Sequence, residues 1–77
     1  MNQAVLFNDD LKFDDKENAW CLTAQLSGQA IKIYFHSKQL KQLSMIDNDT
    51  KFYLEEFTEL WLEKNEIEGN IIHLKLS

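Results

Sequence analysis

The sequence predicts a small α+β domain in which a β-sheet packs on one main helix. Three observations carry that expectation: a self-consistent β-hairpin over residues 19–26 and 29–35, a 3.6-residue apolar period over residues 50–64, and a terminal alternating run at residues 71–76. Seventy-seven residues allow one domain, residues 1–77. A hydrophobic content of 44%, with five phenylalanines, two tryptophans and two tyrosines, is enough for a small core and argues against disorder.

The N-terminal stretch, residues 3–7, reads as a short strand with Val5 and Phe7 on one side. Asn8, Asp9 and Asp10 follow as turn residues, whose short polar side chains bond their own backbone. Leu11 and Phe13 alternate with polar neighbours, which suits an extended segment lying over the core. Residues 14–18 form a solvated connection.

The hairpin can be checked pair by pair. Ser27-Gly28 is a two-residue turn signal between two alternating runs. Closing it there sets Leu26 opposite Gln29, Ala24 opposite Ile31, Leu22 opposite Ile33 and Trp20 opposite Phe35. The other face pairs Gln25 with Ala30, Thr23 with Lys32 and Cys21 with Tyr34. One face is apolar and the other mixed. A slip of one residue would destroy that sorting, so the pattern specifies its own register.

After Phe35 the period changes. Ser37 can cap a short helix over residues 38–43, with Leu40 and Leu43 inward. Asn48 or Asp49 can cap the main helix, residues 50–64. There Tyr53, Phe57, Leu60 and Trp61 form the apolar stripe, with Phe52 and Leu54 widening it. Asn65 suits a left-handed stop. The tail fits two readings. Ile67, Ile71 and Leu74 match a continuing helix, whereas Gly69-Asn70 and the alternation from Ile71 to Leu76 match a strand with Ile72, Leu74 and Leu76 inward. The breaker pair and the β-branched residues favour the strand. The expected sheet is antiparallel. Its core is Val5, Phe7, Trp20, Leu22, Ala24, Ile31, Ile33, Phe35, Leu40, Tyr53, Phe57, Leu60 and Trp61.

Several of these residues also carry a resemblance. Met1-Asn2-Gln3-Ala4, the apolar strand ending at Phe7, Asp9, Phe13-Asp14, the Cys21–Ala24–Gly28–Ile31 hairpin, and Tyr53-Leu54 with Phe57 on a helix resemble the YrdB-like family of small bacterial proteins, domain of unknown function 1488. The resemblance covers the first half and one helical stretch. It departs at Asn8, where members usually carry proline, and after Phe57, where they continue with further helix rich in Ala and Glu. It implies a fold; it brings no catalytic motif.

The net charge of −5 repels nucleic-acid backbones, and Lys38 with Lys41 is not a basic stripe, so direct nucleic-acid binding is disfavoured. One cysteine rules out an internal disulfide, so packing or a partner subunit must hold the fold. No run approaches the ~20 apolar residues of a membrane span, and the N-terminus lacks a basic leader, so the expected location is the cytoplasm.

Cys21 and His36 invite a nucleophile–base reading, but a working dyad also needs an orienting group, an oxyanion site and a pocket. A half-buried thiol beside a polar strand-end histidine is the simpler account. His36, His73 and Cys21 lack metal-ligand spacing, and no cofactor is expected. Glu55, Glu59 and Glu63 form an acidic ridge along the main helix. It is either a solvated face or a docking site for a basic partner. The expectation is a non-catalytic protein-interaction module, with a protein partner or a second copy of the chain, acting through Cys21, Thr23, Lys32, Tyr34 and His36. The alternatives are an acidic regulator of a nucleic-acid-binding partner, or a mimic of nucleic-acid charge, and an enzyme using Cys21 and His36.

Overall fold

The computed structural model describes residues 5–76. Elements run in the order β1 (Val5–Phe7), β2 (Lys12–Asp14), β3 (Ala19–Leu26), β4 (Gln29–His36), α1 (Lys38–Lys41), α2 (Asn48–Lys64) and β5 (Ile71–Lys75). The first two residues of the expected N-terminal strand, Gln3 and Ala4, lie outside the described residues.

β3 and β4 form the expected hairpin, in the expected register from Trp20↔Phe35 to Leu26↔Gln29. Ser27 and Gly28 both adopt positive φ, 51° and 85°. Two consecutive left-handed residues make the turn whose twist matches that of the strands, and glycine takes the second position without steric cost.

β3 carries two short partners end to end. β1 pairs antiparallel with Ala24–Leu26, and β2 with Ala19–Cys21. The segment expected to lie over the core is therefore partly a strand of the sheet. The connection after it turns on Asp14, whose Oδ1 accepts from the amides of Lys16 and Glu17 at 2.9 and 3.2 Å.

The sheet is mixed, not antiparallel throughout. β5 pairs with β4 in parallel, from Lys32↔Ile71 to His36↔Lys75. The connection, residues 37–70, explains the direction. Seventeen helical residues span about 25 Å, close to the length of an eight-residue strand. The helix thus returns the chain to the end of the sheet where β4 began, which is the crossover parallel strands require.

Ser37 caps α1 as expected, its Oγ accepting from Leu40 N at 3.2 Å. The helix stops after one turn, however, and Leu43 is 44% exposed instead of inward. Trp20 Nε1 donates to Leu40 O at 2.7 Å and ties that turn to β3. Asp47, not Asn48 or Asp49, caps α2, accepting from Thr50 N at 2.8 Å. Asn65 ends the helix in extended backbone, not the left-handed form, and its side chain donates to Trp61 O at 2.9 Å, satisfying a carbonyl left over at the helix end.

The core joins the inner face of the sheet to α2. Phe35, Leu22 and Ile33 are fully buried, and each contributes about 1.5–3 kcal/mol by leaving water. Ile72 and Leu74 of β5 are buried with them, as the alternation predicts. The inward line of α2 is Leu54, Thr58 and Leu62, flanked by half-buried Phe57 and Trp61. Tyr53 and Leu60, both expected in the core, are 58% and 51% exposed. The helix carries apolar residues around much of its circumference, so the bulky aromatics point to a stripe rotated from the one that packs. Thr58 sits at the centre of the buried line because its hydroxyl donates to Leu54 O at 2.8 Å, leaving no unpaired group.

Candidate interaction face

α2 covers the inner face of the sheet. The outer face carries the residues that alternation places opposite the core: Cys21, Thr23 and Gln25 on β3, Lys32, Tyr34 and His36 on β4, and Ile71, His73 and Lys75 on β5. Among the described residues, no helix or strand packs over it.

This face has three parts. At one end Leu6 (70% exposed) and Ile71 (52% exposed) flank exposed Ala30. Ala30 and Ile71 line a shallow concavity of about 410 Å³ whose walls include Gln25, Lys32 and Asn70.

The middle is a hydrogen-bonded junction at Thr23, where β1 gives way to β2. Asn8 N donates to Thr23 O at 3.0 Å, and Asn8 Nδ2 donates to Thr23 Oγ1 at 2.7 Å. The Thr23 amide donates to Asp10 Oδ1 at 3.1 Å, and its hydroxyl donates to Asp10 Oδ2. The fold itself thus uses Thr23, which the sequence offered as a free recognition residue. A proline at position 8 would lack the amide that bonds Thr23 O.

The far end is aromatic. Tyr34 stacks on His73, with ring centroids 5.0 Å apart and planes 15° apart, and His73 stacks on His36 at 5.1 Å and 29°. His36 Nε2 and His73 Nδ1 lie 2.9 Å apart, a hydrogen bond in which one ring donates to the other. Tyr34 OH points to Asp14 Oδ2 at 3.4 Å. Backbone hydrogen bonds from Glu17 and Lys16, with help from Tyr34 and Lys32, hold the Asp14 carboxyl below the usual carboxylate range. Burial lowers the pKa of His36, and the neighbouring His73, Lys41 and Lys75 lower it further, against a smaller opposing pull from Glu17.

Beneath this stack lies a second small cluster: Ala19, Cys21 and Tyr34, all buried although they sit on the outer face. Cys21 faces Tyr34 directly, and burial pushes its thiol pKa up, with Lys32 opposing. A buried thiol with a raised pKa is a poor nucleophile. His36 makes its ring contact with His73, so the structure does not bring Cys21 and His36 together as a hydrogen-bonded pair. Among the described residues, no group of three or more His, Cys, Asp or Glu side chains is placed to hold a metal ion.

The acidic ridge is uneven. Glu59 and Glu63 are exposed, while Glu55 is half-buried, 4.0 Å from Lys51. Lys51 also pairs with Asp9, tying α2 to the β1–β2 loop. Of the residues on the face, sequence reasoning did not assign His73, Asp14, Leu6 or Ile71 to it. The alternation of β5 does send His73 outward, but only the parallel register places it beside Tyr34 and His36. Among the described residues, no helix is long and apolar enough to cross a membrane.

Comparison with known proteins agrees with this architecture. A crystal structure of a protein of unknown function from the family of domain of unknown function 1488, from Shewanella loihica PV-4, is 26% identical in sequence. The match covers 99% of this chain and 94% of that one, with a TM-score of 0.52. No family model matches the sequence, and no curated protein matches it.

Proposed function

We propose that the chain, which is similar over 99% of its length to a protein of the family of domain of unknown function 1488, is a non-catalytic protein-interaction module of the cytoplasm. It engages a protein partner or a second copy of itself through the outer face of its sheet. The observation that carries this reading is the asymmetry of the sheet: α2 seals one face, while the other presents Leu6, Lys32, Ile71 and His73 to solvent. The adjoining edge supports it. β5 is the outermost strand, and its ladder bonds to β4 use Asn70 O and Leu76 N. By alternation, the backbone groups of Ile71, His73 and Lys75 point away from β4, where another strand can meet them. The burial of Cys21 supports its role as packing rather than as a nucleophile.

Size-exclusion chromatography with light scattering over a range of concentrations, combined with affinity capture, tests the reading. A self-associated species or a retained partner is expected, and the paired change Lys32→Glu with Ile71→Ser abolishes it. A strict monomer that retains no partner overturns the proposal.

A second reading draws on Glu59 and Glu63, exposed on α2 together with Phe52. In it the chain is an acidic regulator of a nucleic-acid-binding protein, or mimics nucleic-acid charge. Charge reversal at Glu55, Glu59 and Glu63 separates the two readings, because it abolishes binding only if the ridge is the docking surface.

A further inference from the structure

The two edges of the sheet differ. On one side, among the described residues, β3 is bordered by two three-residue strands, β1 and β2, interrupted where Asn8 and Asp10 bond Thr23. An edge so short and broken resists pairing. On the other side β5 runs unbroken through Ile71–Lys75, with no proline and no break in its register. Ile72 and Leu74 turn their backbone groups to β4, in step with Asn70 O and Leu76 N, so Ile71, His73 and Lys75 turn theirs outward. A continuous open edge of that kind is a template for another strand. Resting on the reading of the chain as an interaction module, we propose that the partner is a second copy of the chain. β5 pairs antiparallel with β5 of that copy about a two-fold axis at His73, and the two sheets become one. Only one edge of each sheet is competent, so the pairing closes on two chains.

The three outward residues are spaced evenly about His73 and define one register. Ile71 meets Lys75 of the second copy, His73 meets His73, and Lys75 meets Ile71. Each pair exchanges two bonds, so the three give about six main-chain hydrogen bonds. A shift of two residues along the edge loses one of the three pairs. The side chains agree with this register. Ile71, 52% exposed, gains the aliphatic stem of Lys75 as cover. Exposed His73 meets its own copy and extends the row in which it stacks on Tyr34. On the inner face Ile72 stands beside Leu74 of the second copy, and the two cores join. The charges at the strand ends match as well: exposed Glu68 precedes β5 and exposed Lys75 ends it. The two-fold axis brings each lysine to the acidic end of the other chain. Lys32 opposes this, but it lies two strand spacings, or about 10 Å, from the incoming lysine, where salt screens much of the repulsion. An unrelated strand has no reason to match both the spacing and the order of charge.

Amide hydrogen exchange of the native protein at about 1 mM tests the pairing without a variant. The outward amides of Ile71, His73 and Lys75 should be slowed by about fivefold or more, alongside the inward amides of Ile72 and Leu74. His73→Pro removes an outward donor that β4 does not use, so it should give a folded monomer by circular dichroism and light scattering. In a Cys21→Ala background, His73→Cys should form a disulfide-linked dimer under mild oxidation, because Cα atoms paired across the axis stand about 5.5 Å apart. Ile71→Cys should not, because its two copies stand about 14 Å apart. Outward amides exchanging at the solvent rate, or Ile71→Cys cross-linking as readily as His73→Cys, would overturn the β5 pairing. A dimer that survives His73→Pro, or a different protein captured by a strictly monomeric chain, also overturns it but leaves the interaction-module reading standing. A monomer that captures nothing overturns both.

Discussion

The two faces belong to one sheet, yet different forces hold them. On the inner face Leu22, Ala24, Ile31, Ile33 and Phe35 are almost fully buried beneath α2. Non-directional apolar burial holds them, and many apolar sequences would satisfy it. On the outer face the order is directional: the Asp10–Thr23–Asn8 junction, the Tyr34–His73–His36 stack, and Asp14 on its turn. Burial explains the first face. The second carries specific geometry that a small α+β fold does not need for its core, and recognition chemistry belongs on a face of that kind.

Truncation breaks or sharpens this contrast most strongly. Phe35→Ala should cost about 3–5 kcal/mol in urea unfolding, a large fraction of the stability of so small a domain. Lys32→Ala, on the same strand but outward, should change stability by less than about 0.5 kcal/mol. Comparable losses at the two positions would mean that the outer face is as much a packing surface as the inner one. The same logic applies around α2. Leu62→Ala should cost about 2–5 kcal/mol, and Leu60→Ser, two residues away on the exposed side, less than about 0.5 kcal/mol. A large loss at Leu60 would restore the stripe that the sequence favoured.

The contrast also marks what the sequence makes legible. Hairpin pairing was readable because one residue of slip exchanges the faces, so Trp20↔Phe35 follows from alternation alone. The inward line of α2 was not. Seven apolar residues crowd positions 52–62, and the largest, Phe52, Tyr53, Phe57 and Trp61, outweigh Leu54 and Leu62, while a threonine marks the centre of the packed side. Alternation revealed β5 as a strand but not its direction, which depends on how far the intervening helix carries the chain. The site was half legible for the same reason. Cys21, Lys32, Tyr34 and His36 share a face by hairpin register, but His73 joins them only through a parallel pairing 37 residues away in sequence.

Thiol chemistry probes the one place where the two faces overlap in character. Cys21 is 3% exposed although it sits on the outer face, and its thiol pKa is raised. A water-soluble disulfide reagent should therefore label it slowly in the native state, with a rate that rises through the urea transition as the sheet opens. Rapid labelling of folded protein would show that the Ala19–Cys21–Tyr34 cluster is open, and would reinstate Cys21 as a group available for chemistry.

The smallest expected effect separates the layers by pH. Asp47 caps the helix that covers the inner face, and its hydrogen bonds from Thr50 lower its carboxyl pKa. Asp14 holds the turn under the outer stack, and the Glu17 amide is the first cause of its lowered value. In both cases the folded carboxylate binds its proton less readily than the unfolded one does. Their stabilisation is therefore complete above the unfolded pKa, near 4, and is lost as the pH falls through the folded value. Thermal unfolding followed from about pH 6 to about pH 2 should show the melting temperature falling below about pH 4. Asp47→Asn keeps a capping oxygen that does not titrate, so it should flatten part of that fall at little cost at neutral pH. Asp14→Asn should flatten another part, and the two should add, because the groups lie on opposite layers and share no partner. Strong non-additivity would mean that the outer face and the helix layer respond to acid as one unit, and that the division between the two faces is geometric but not energetic.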